Sequence, residues 1–378
     1  MFRPALRPAS LAAAAALLSS CAAGRGAPPA PAPVSARASV PTAAAVPAIP
    51  TGLRAVAADS GERHLTNVRQ LTFGGENAEA YFSAKGDYLT FQGRTDPGGC
   101  DQQWVVRVAD GGGLRRVSPA PGKTTCGFFY GDDRRVLFGS THDNERGCPA
   151  PPDKSKGYVW KLDKYDIYTA ARAGGDVRRL TRYGTYTAEA VVSPDGRRVV
   201  FTSRKDGDLD IYTMNVDGSD VRRLTTTPGY DGGPWWSPDG TRIVYRAWHP
   251  ADSAGLADYR ALLSEDLVRP SRMELWTMNA DGSDQRQITR LGGANFGPSW
   301  TADGRRIIFS SNYRNPRSGN FDLYLVNADG TGLEQVTTDG TFDGFPMFSR
   351  DGRTLVWASN RHAARPGDTN LFVADWRE

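Results

Sequence analysis

Apolar and polar positions alternate along most of this chain in runs too short for helices and well suited to strands. Val191-Val192-Ser193-Pro194-Asp195-Gly196-Arg197-Arg198-Val199-Val200-Phe201 shows the pattern most clearly. An apolar run meets Ser-Pro-Asp-Gly, where proline presets φ for a turn and glycine takes the left-handed position, and a β-branched run then returns. The layout recurs at Trp235-Trp236-Ser237-Pro238-Asp239-Gly240, Ser299-Trp300-Thr301-Ala302-Asp303-Gly304 and Met347-Phe348-Ser349-Arg350-Asp351-Gly352. Degenerate copies stand at Tyr81-Phe82-Ser83-Ala84-Lys85-Gly86 and Phe128-Phe129-Tyr130-Gly131-Asp132-Asp133. An aromatic-rich run such as Asp210-Ile211-Tyr212-Thr213-Met214-Asn215 follows, then an Asp-Gly hairpin signal and a run such as Val221-Arg222-Arg223-Leu224-Thr225. Six units of four antiparallel strands, a to d, predict an all-β, six-bladed β-propeller.

The sixth unit supplies strand c, Asn370 to Asp375, but no strand d. Val68-Arg69-Gln70-Leu71-Thr72 reads like Val177-Arg178-Arg179-Leu180-Thr181. Residues 67–72 are therefore expected to complete blade 6 and to cover the edge it would otherwise expose. Ahead of the propeller, Arg3 and Arg7, the Ala/Leu run from Leu11 to Leu18 and Cys21 read as a targeting segment over residues 1–20. Residues 21–60 are rich in Ala and Pro and read as a disordered tether, leaving 61–378 for the propeller.

Composition narrows the function. With 42 Gly, 9 Trp and 14 Tyr, the chain is equipped for many strands and tight turns. A formal net charge of +4 without a concentrated basic tract argues against nucleic-acid binding. No run of about twenty apolar residues occurs, so no spanning helix is expected. A closed ring is expected to be monomeric.

In a four-stranded meander the a-b and c-d turns share one face, and the b-c and d-a connections share the other. The long insertions at 141–164, 248–272, 313–320 and 361–369 all fall on the second face. That face is the expected working surface. Glu79, Glu189, Asp231 and Asp343 are expected around the channel mouth there, beside Tyr186, Tyr230, Asn295, Phe296 and Phe342. Such a set suits a cationic or peptide segment; equally, the carboxylates could bond backbone N–H groups of neighbouring blades, or be neutralised by Arg94, Arg204 and Arg246. His142, His249 and His362 lie on the same face in alternate blades and are the one histidine set that could hold a metal, although a third of the ring separates each pair. Asp206-Gly207-Asp208-Leu209-Asp210 lacks the distal Glu of a calcium loop. No nucleophile elbow is present, and neither a catalytic residue nor a cofactor is expected. Cys100, Cys126 and Cys148 map to the long-loop face as well. An exported chain keeps a disulfide, and Cys100 with Cys126 is the favoured pair.

Two resemblances add to this reading. Leu18-Ser19-Ser20-Cys21 resembles the lipobox of bacterial lipoproteins, which implies cleavage before Cys21 and lipidation of its thiol. By the same resemblance, Ala22 in place of Asp implies passage to the outer membrane. The Ser-Pro-Asp-Gly turns, the Asp-Ile-Tyr and Glu-Leu-Trp strands and the Arg-Arg-Leu-Thr strands look like the WD40-like (PD40) repeats of the TolB propeller. The resemblance covers about residues 65–376 and lacks the α/β domain that precedes the propeller in TolB. It implies a non-catalytic, periplasmic lipoprotein that docks an envelope protein or polymer. Oligogalacturonate lyase, built on a related propeller, supplies the alternative of a metal-dependent carbohydrate-active enzyme.

Overall fold

The computed structural model describes residues 48–378 apart from Pro97 and Arg146. The expected signal peptide, Cys21 and most of the expected tether lie outside the described residues. Six antiparallel sheets form a β-propeller. Blade 1 runs outward through Glu76–Phe82, Tyr88–Arg94, Gln102–Arg107 and Arg115–Arg116. Blades 2 to 5 repeat it from the inner strands Thr124–Tyr130, Thr187–Val192, Tyr230–Trp236 and Asn295–Trp300.

The sixth sheet is ordered Asp343–Phe348, Thr354–Ser359, Asn370–Trp376, Leu65–Thr72 and Thr51–Ala55. A repeated hydrogen bond shows the register of Leu65–Thr72. In each blade the backbone N–H of the second residue of strand c donates to a Ser or Thr hydroxyl on the strand d side. The donors are Gln103, Ile167, Ile211, Leu275 and Leu323, and the acceptors Ser118, Thr181, Thr225, Thr289 and Thr337, at 2.8 to 3.0 Å. In blade 6 Leu371 donates to Thr72 at 2.9 Å. The partners are therefore about 300 residues apart in sequence yet make the same local contact.

Residues 48–60, the described part of the expected tether, lie against the propeller. Ile49 is only 2 % exposed, packed with Leu71, Phe91 and Val373 where blades 6 and 1 meet. Thr51–Ala55 then pairs along Leu65–Thr72 as a fifth strand, with Arg54 opposite Gln70. An apolar residue entering an interblade seam offsets the entropy of ordering the short segment that carries it. Similar seams form the rest of the core. Phe201, Tyr212 and Met214 of blade 3 are fully or almost fully buried against Leu137 and Ile167 of blade 2.

The insertions of blades 2 and 4 meet on the long-loop face. Trp160–Lys161 pairs antiparallel with Leu267–Val268. The helix Ser253–Ser264 precedes the second of these strands, and its N-cap Asp252 accepts a bond from the Gly255 N–H at 2.7 Å. The disulfide joins Cys100 to Cys148, not to Cys126. Cys126 lies in the inner strand of blade 2 and is buried toward the channel, whereas Cys100 and Cys148 sit in loops that approach each other to a Cα separation of 5.2 Å.

Candidate binding channel

Every inner strand carries a β-bulge at the same place, between Ala78 and Tyr81, Thr125 and Phe128, Ala188 and Val191, Gly232 and Trp235, Phe296 and Ser299, and Gly344 and Met347. The bulged residues have positive φ: Glu79 52°, Cys126 52°, Glu189 57°, Gly233 58°, Gly297 60° and Phe345 56°. A bulge re-aims a side chain, and a left-handed non-glycine residue persists only where its surroundings hold it. Here all six bulged residues surround one small cavity of about 40 Å³ inside the ring.

The ring alternates. The bulged N–H of Cys126 donates to Gln92 of blade 1, that of Gly233 to Thr202 of blade 3, and that of Phe345 to Ser310 of blade 5, at 3.1 to 3.2 Å. Two of these N–H groups also donate to a carboxylate of the preceding blade, Cys126 to Glu79 at 3.0 Å and Gly233 to Glu189 at 2.8 Å. Blade 5 has Gly297 in that place, so the ring holds two carboxylates rather than three.

Arg246 enters the ring from strand b of blade 4, because Gly232 and Gly233 leave space for it. A Cβ at Gly233 would lie 2.7 Å from Arg246 Nη1, and one at Gly232 would lie 2.5 Å from Tyr230 Oη. The guanidinium pairs with Glu189 and donates to Tyr230 Oη at 2.8 and 3.0 Å. Burial works against its charge, but Glu189 keeps it protonated. Glu79 has no such partner. Burial pushes its carboxyl up to about 7, opposed by the bond with Cys126 and reinforced by the nearby Glu189. Burial and the two carboxylates raise the Cys126 thiol well above its usual range, so it is held as the neutral thiol.

Of the residues expected at the mouth, Glu79, Glu189, Tyr230 and Arg246 come together, with Tyr186 packed beside Tyr230. Asp231 and Asp343 do not. Both are 0 % exposed, as are Asn77, Thr124, Thr187 and Asn295, their equivalents two residues ahead of the bulge in the other blades. In a regular strand residues two apart share a face, but the bulge breaks that rule, leaving this position in the sheet stack and the bulged residue on the channel. Asp231 lies 3.0 Å from His249 Nε2. Asp343 accepts from Arg361 at 3.1 Å and from Trp357 Nε1 at 2.9 Å. Asn295 is bonded to Ser311 and to the Met273 carbonyl. Phe296 and Phe342 belong to an aromatic cluster with Phe321 and Phe345, and Arg204 pairs with Asp266 of the blade 4 insertion.

The histidines stay apart. His142 lies tilted against Tyr168 in blade 2, His249 lies against Trp276 in blade 4, and His362 is exposed. Among the described residues, one group has the spacing of metal ligands: Glu62, Asp339 and Asp343. The Arg361 guanidinium lies among those three carboxylates, at 2.8, 3.0 and 3.1 Å.

The two faces of the channel differ from what loop lengths suggest. On the long-loop face Trp160, from the blade 2 insertion, reaches across to blades 4 and 5. Its ring lies 5.1 Å from the Arg246 guanidinium carbon and 6.4 Å from the Phe296 ring. Tyr165, just after that insertion, packs edge-on against Tyr186 at 6.0 Å. These insertions therefore cover the inner ring. The large cavity, of about 580 Å³, opens on the opposite face, among the tight a-b turns. Partly exposed Phe128, Tyr130, Trp235 and Met347 stand on its wall. Between it and the small inner cavity, Phe128 and Trp235 of the wall meet the buried Tyr81, three rings from blades 1, 2 and 4 whose centroids are 4.9 to 6.4 Å apart. The sequence carried a signal for this funnel, since these aromatics immediately precede the Ser-Pro-Asp-Gly turns and their equivalents.

Residues 153–257 match the family model of the TolB beta propeller domain, PD40. The fold is a six-bladed β-propeller, and it is similar to that of TolB. A TolB-type protein from Agrobacterium tumefaciens matches over 88% of this chain and 100% of its own, with a TM-score of 0.55 and 18% identity. An oligogalacturonate lyase from Vibrio parahaemolyticus matches over 88% and 98%, with a TM-score of 0.52 and 12% identity. At such identities the likeness is one of fold. A 39-residue stretch is 51% identical to dipeptidyl-peptidase 5 of Porphyromonas gingivalis. That stretch is 10% of this chain and spans only 6% of the peptidase.

Proposed function

We propose that this chain is a non-catalytic binding propeller of the cell envelope, which docks an envelope protein or polymer at its channel. The open funnel carries the reading. A concave space of about 580 Å³ with partly exposed aromatic side chains has the size and lining of a ligand pocket. The lipobox resemblance at Leu18 to Cys21 supports a lipid anchor at Cys21, and with the TolB-like fold it supports a position on the periplasmic side of the outer membrane. For the alternative, a metal-dependent carbohydrate-active enzyme, the one group with ligand spacing among the described residues already encloses Arg361. This favours binding over metal chemistry.

A photo-crosslinking residue placed at Phe128 of the full chain in cells is expected to capture a partner. The same residue at Tyr183, 36% exposed on the long-loop face, is expected to capture none. Adducts formed only from Tyr183, or manganese-dependent cleavage of oligogalacturonate by the purified chain, would overturn the reading. Cys21→Ser is expected to abolish lipid labelling and release the chain from membranes. Unchanged fractionation and labelling would remove the anchor.

A further inference from the structure

We propose that the funnel selects a cationic side chain, a lysine or arginine on an extended segment of an envelope protein, and rejects anionic polymers. The inference rests on the binding reading above and adds the chemistry of the occupant. It stands on three observations. First, the narrow inner end is built of π-systems. Phe128 and Trp235 meet edge-on at 5.5 Å and 80°, and Tyr81 meets Trp235 at 4.9 Å and 68°. Aromatic faces carry a negative quadrupole and attract cations.

Second, the charges at the rim have the matching sign. Asp132 and Asp195 are exposed on the funnel wall, and Arg350 is the cation lining it. Asp132 has Arg134 at 3.5 Å, but both side chains are largely exposed and such a pair holds weakly. Asp133 also lines the cavity and accepts bonds from the backbone of Ala84 and Lys85, and Asp195 accepts from the Ser193 hydroxyl at 2.6 Å and the Arg197 N–H at 3.1 Å through Oδ1. The chain as a whole carries +4, so this acidic lining runs against the overall balance.

Third, the ring just beyond the aromatics holds two carboxylates and one guanidinium. Arg246 is committed to Glu189, and Glu79 has only the Cys126 backbone N–H and thiol. Trp235 and Val191 line both the funnel and this ring. With Arg246 offsetting Glu189, the ring turns negative as Glu79 loses its proton with pH rising through about 7, and low-dielectric walls focus that field along the channel axis, toward the entering ligand. A lysine or arginine stem lies along apolar wall while its head group meets aromatic faces and negative potential. A polyuronide or another anionic polymer meets the same field with the wrong sign.

The test uses the purified full chain and three pentapeptides, acetyl-AAKAA-amide and its norleucine and glutamate counterparts, in calorimetric titrations at low and high salt. The lysine peptide is expected to bind about tenfold more tightly than the norleucine peptide at low salt, which corresponds to about 1.4 kcal/mol. The glutamate peptide is expected to be the weakest. The preference should shrink at high salt and in the double variant Asp132→Asn, Asp195→Asn. It should survive Asp217→Asn with Asp281→Asn, which removes the same charge from outer turns of the same face. Equal binding of the lysine and norleucine peptides, tighter binding of the glutamate peptide, or no binding of any peptide overturns the inference. In that event, crosslinking at Phe128 decides separately whether the binding reading stands. Adducts there would leave a funnel that recognises something other than a cation.

Discussion

At the scale of single residues, Glu79 and Arg246 make opposite predictions. Glu79 is held near 7 in the folded chain and returns to its ordinary acidic value on unfolding. Between about pH 4.5 and 7 the folded state therefore binds a proton that the unfolded state has lost, and stability falls as pH rises through that window. The loss is complete above about pH 7 and reaches at most roughly 3 kcal/mol. Glu79→Gln should shrink this fall and leave the variant more stable than the parent at pH 8, as read by urea denaturation at pH 5 and pH 8. The fall should not vanish, because burial also raises Asp210 and Asp343 to about 7. A variant that loses stability equally at both pH values would show that Glu79 is ionised at both. Arg246→Met leaves Glu189 buried without its partner, and should cost about 3 to 5 kcal/mol, largely restored by adding Glu189→Gln. Failure of that rescue would mean that the loss comes from the guanidinium's packing against Trp160 and Tyr230. Glu79, Glu189 and Arg246 were legible as a charged set in the sequence. Asp231 and Asp343 looked equivalent to the two glutamates because they follow the same glycine-rich loops, and the two-residue offset that buries them depends on a bulge with no marker in the local composition.

Among the elements, the two N-terminal strands separate by what they hold. Thr51–Ala55 covers only the outer edge of blade 6, whereas Leu65–Thr72 supplies Thr72 to Leu371 and packs Leu65, Val68 and Leu71 into two interblade clusters. Glu62, just before it, pairs with the buried Arg361. A chain beginning at residue 61 should fold and melt somewhat earlier than the parent. One beginning at residue 74 should aggregate or melt far earlier, because it exposes the edge of Asn370–Trp376 and strips Arg361 of one carboxylate. Thermal melts with size-exclusion chromatography would check both. A monomeric chain from residue 74 with the parent's melting temperature would show that the ring holds without this strand. The repeat grammar made Leu65–Thr72 readable, since Val-Arg-Gln-Leu-Thr matches the strand d sequences. Thr51–Ala55 was hidden by its Ala- and Pro-rich neighbourhood, and only the seam between blades 6 and 1 gives Ile49 a place to be buried.

For the molecule as a whole, the insertions act as a cover held by cross-blade contacts. The Cys100–Cys148 link ties the blade 2 insertion to blade 1, and the Arg204–Asp266 pair ties the blade 4 insertion to blade 3. Replacing both cysteines by serine removes a cross-link over a sequence separation of 48 residues, with a loss of at most about 4 kcal/mol on chain-entropy grounds. Limited proteolysis should then cut first within residues 141–164 while the remaining blades resist. Uniform degradation would mean that the link supports the whole ring rather than the cover.

Blade number, strand order within each blade and the turn chemistry are all legible in the sequence, because each is local. Proline, glycine and the period-two alternation act within a few residues, and six repeats of a local rule leave little choice of fold. The choice of cysteine partner, the burial of Asp231 and Asp343, and the face on which the channel stays open are decided by residues that meet across the ring. Trp160 closes one mouth from two blades away, and Tyr81, Phe128 and Trp235 shape the other from three different blades. Long loops suggested an open working face, but their apolar residues had to be buried somewhere, and the nearest apolar surface was the channel mouth itself.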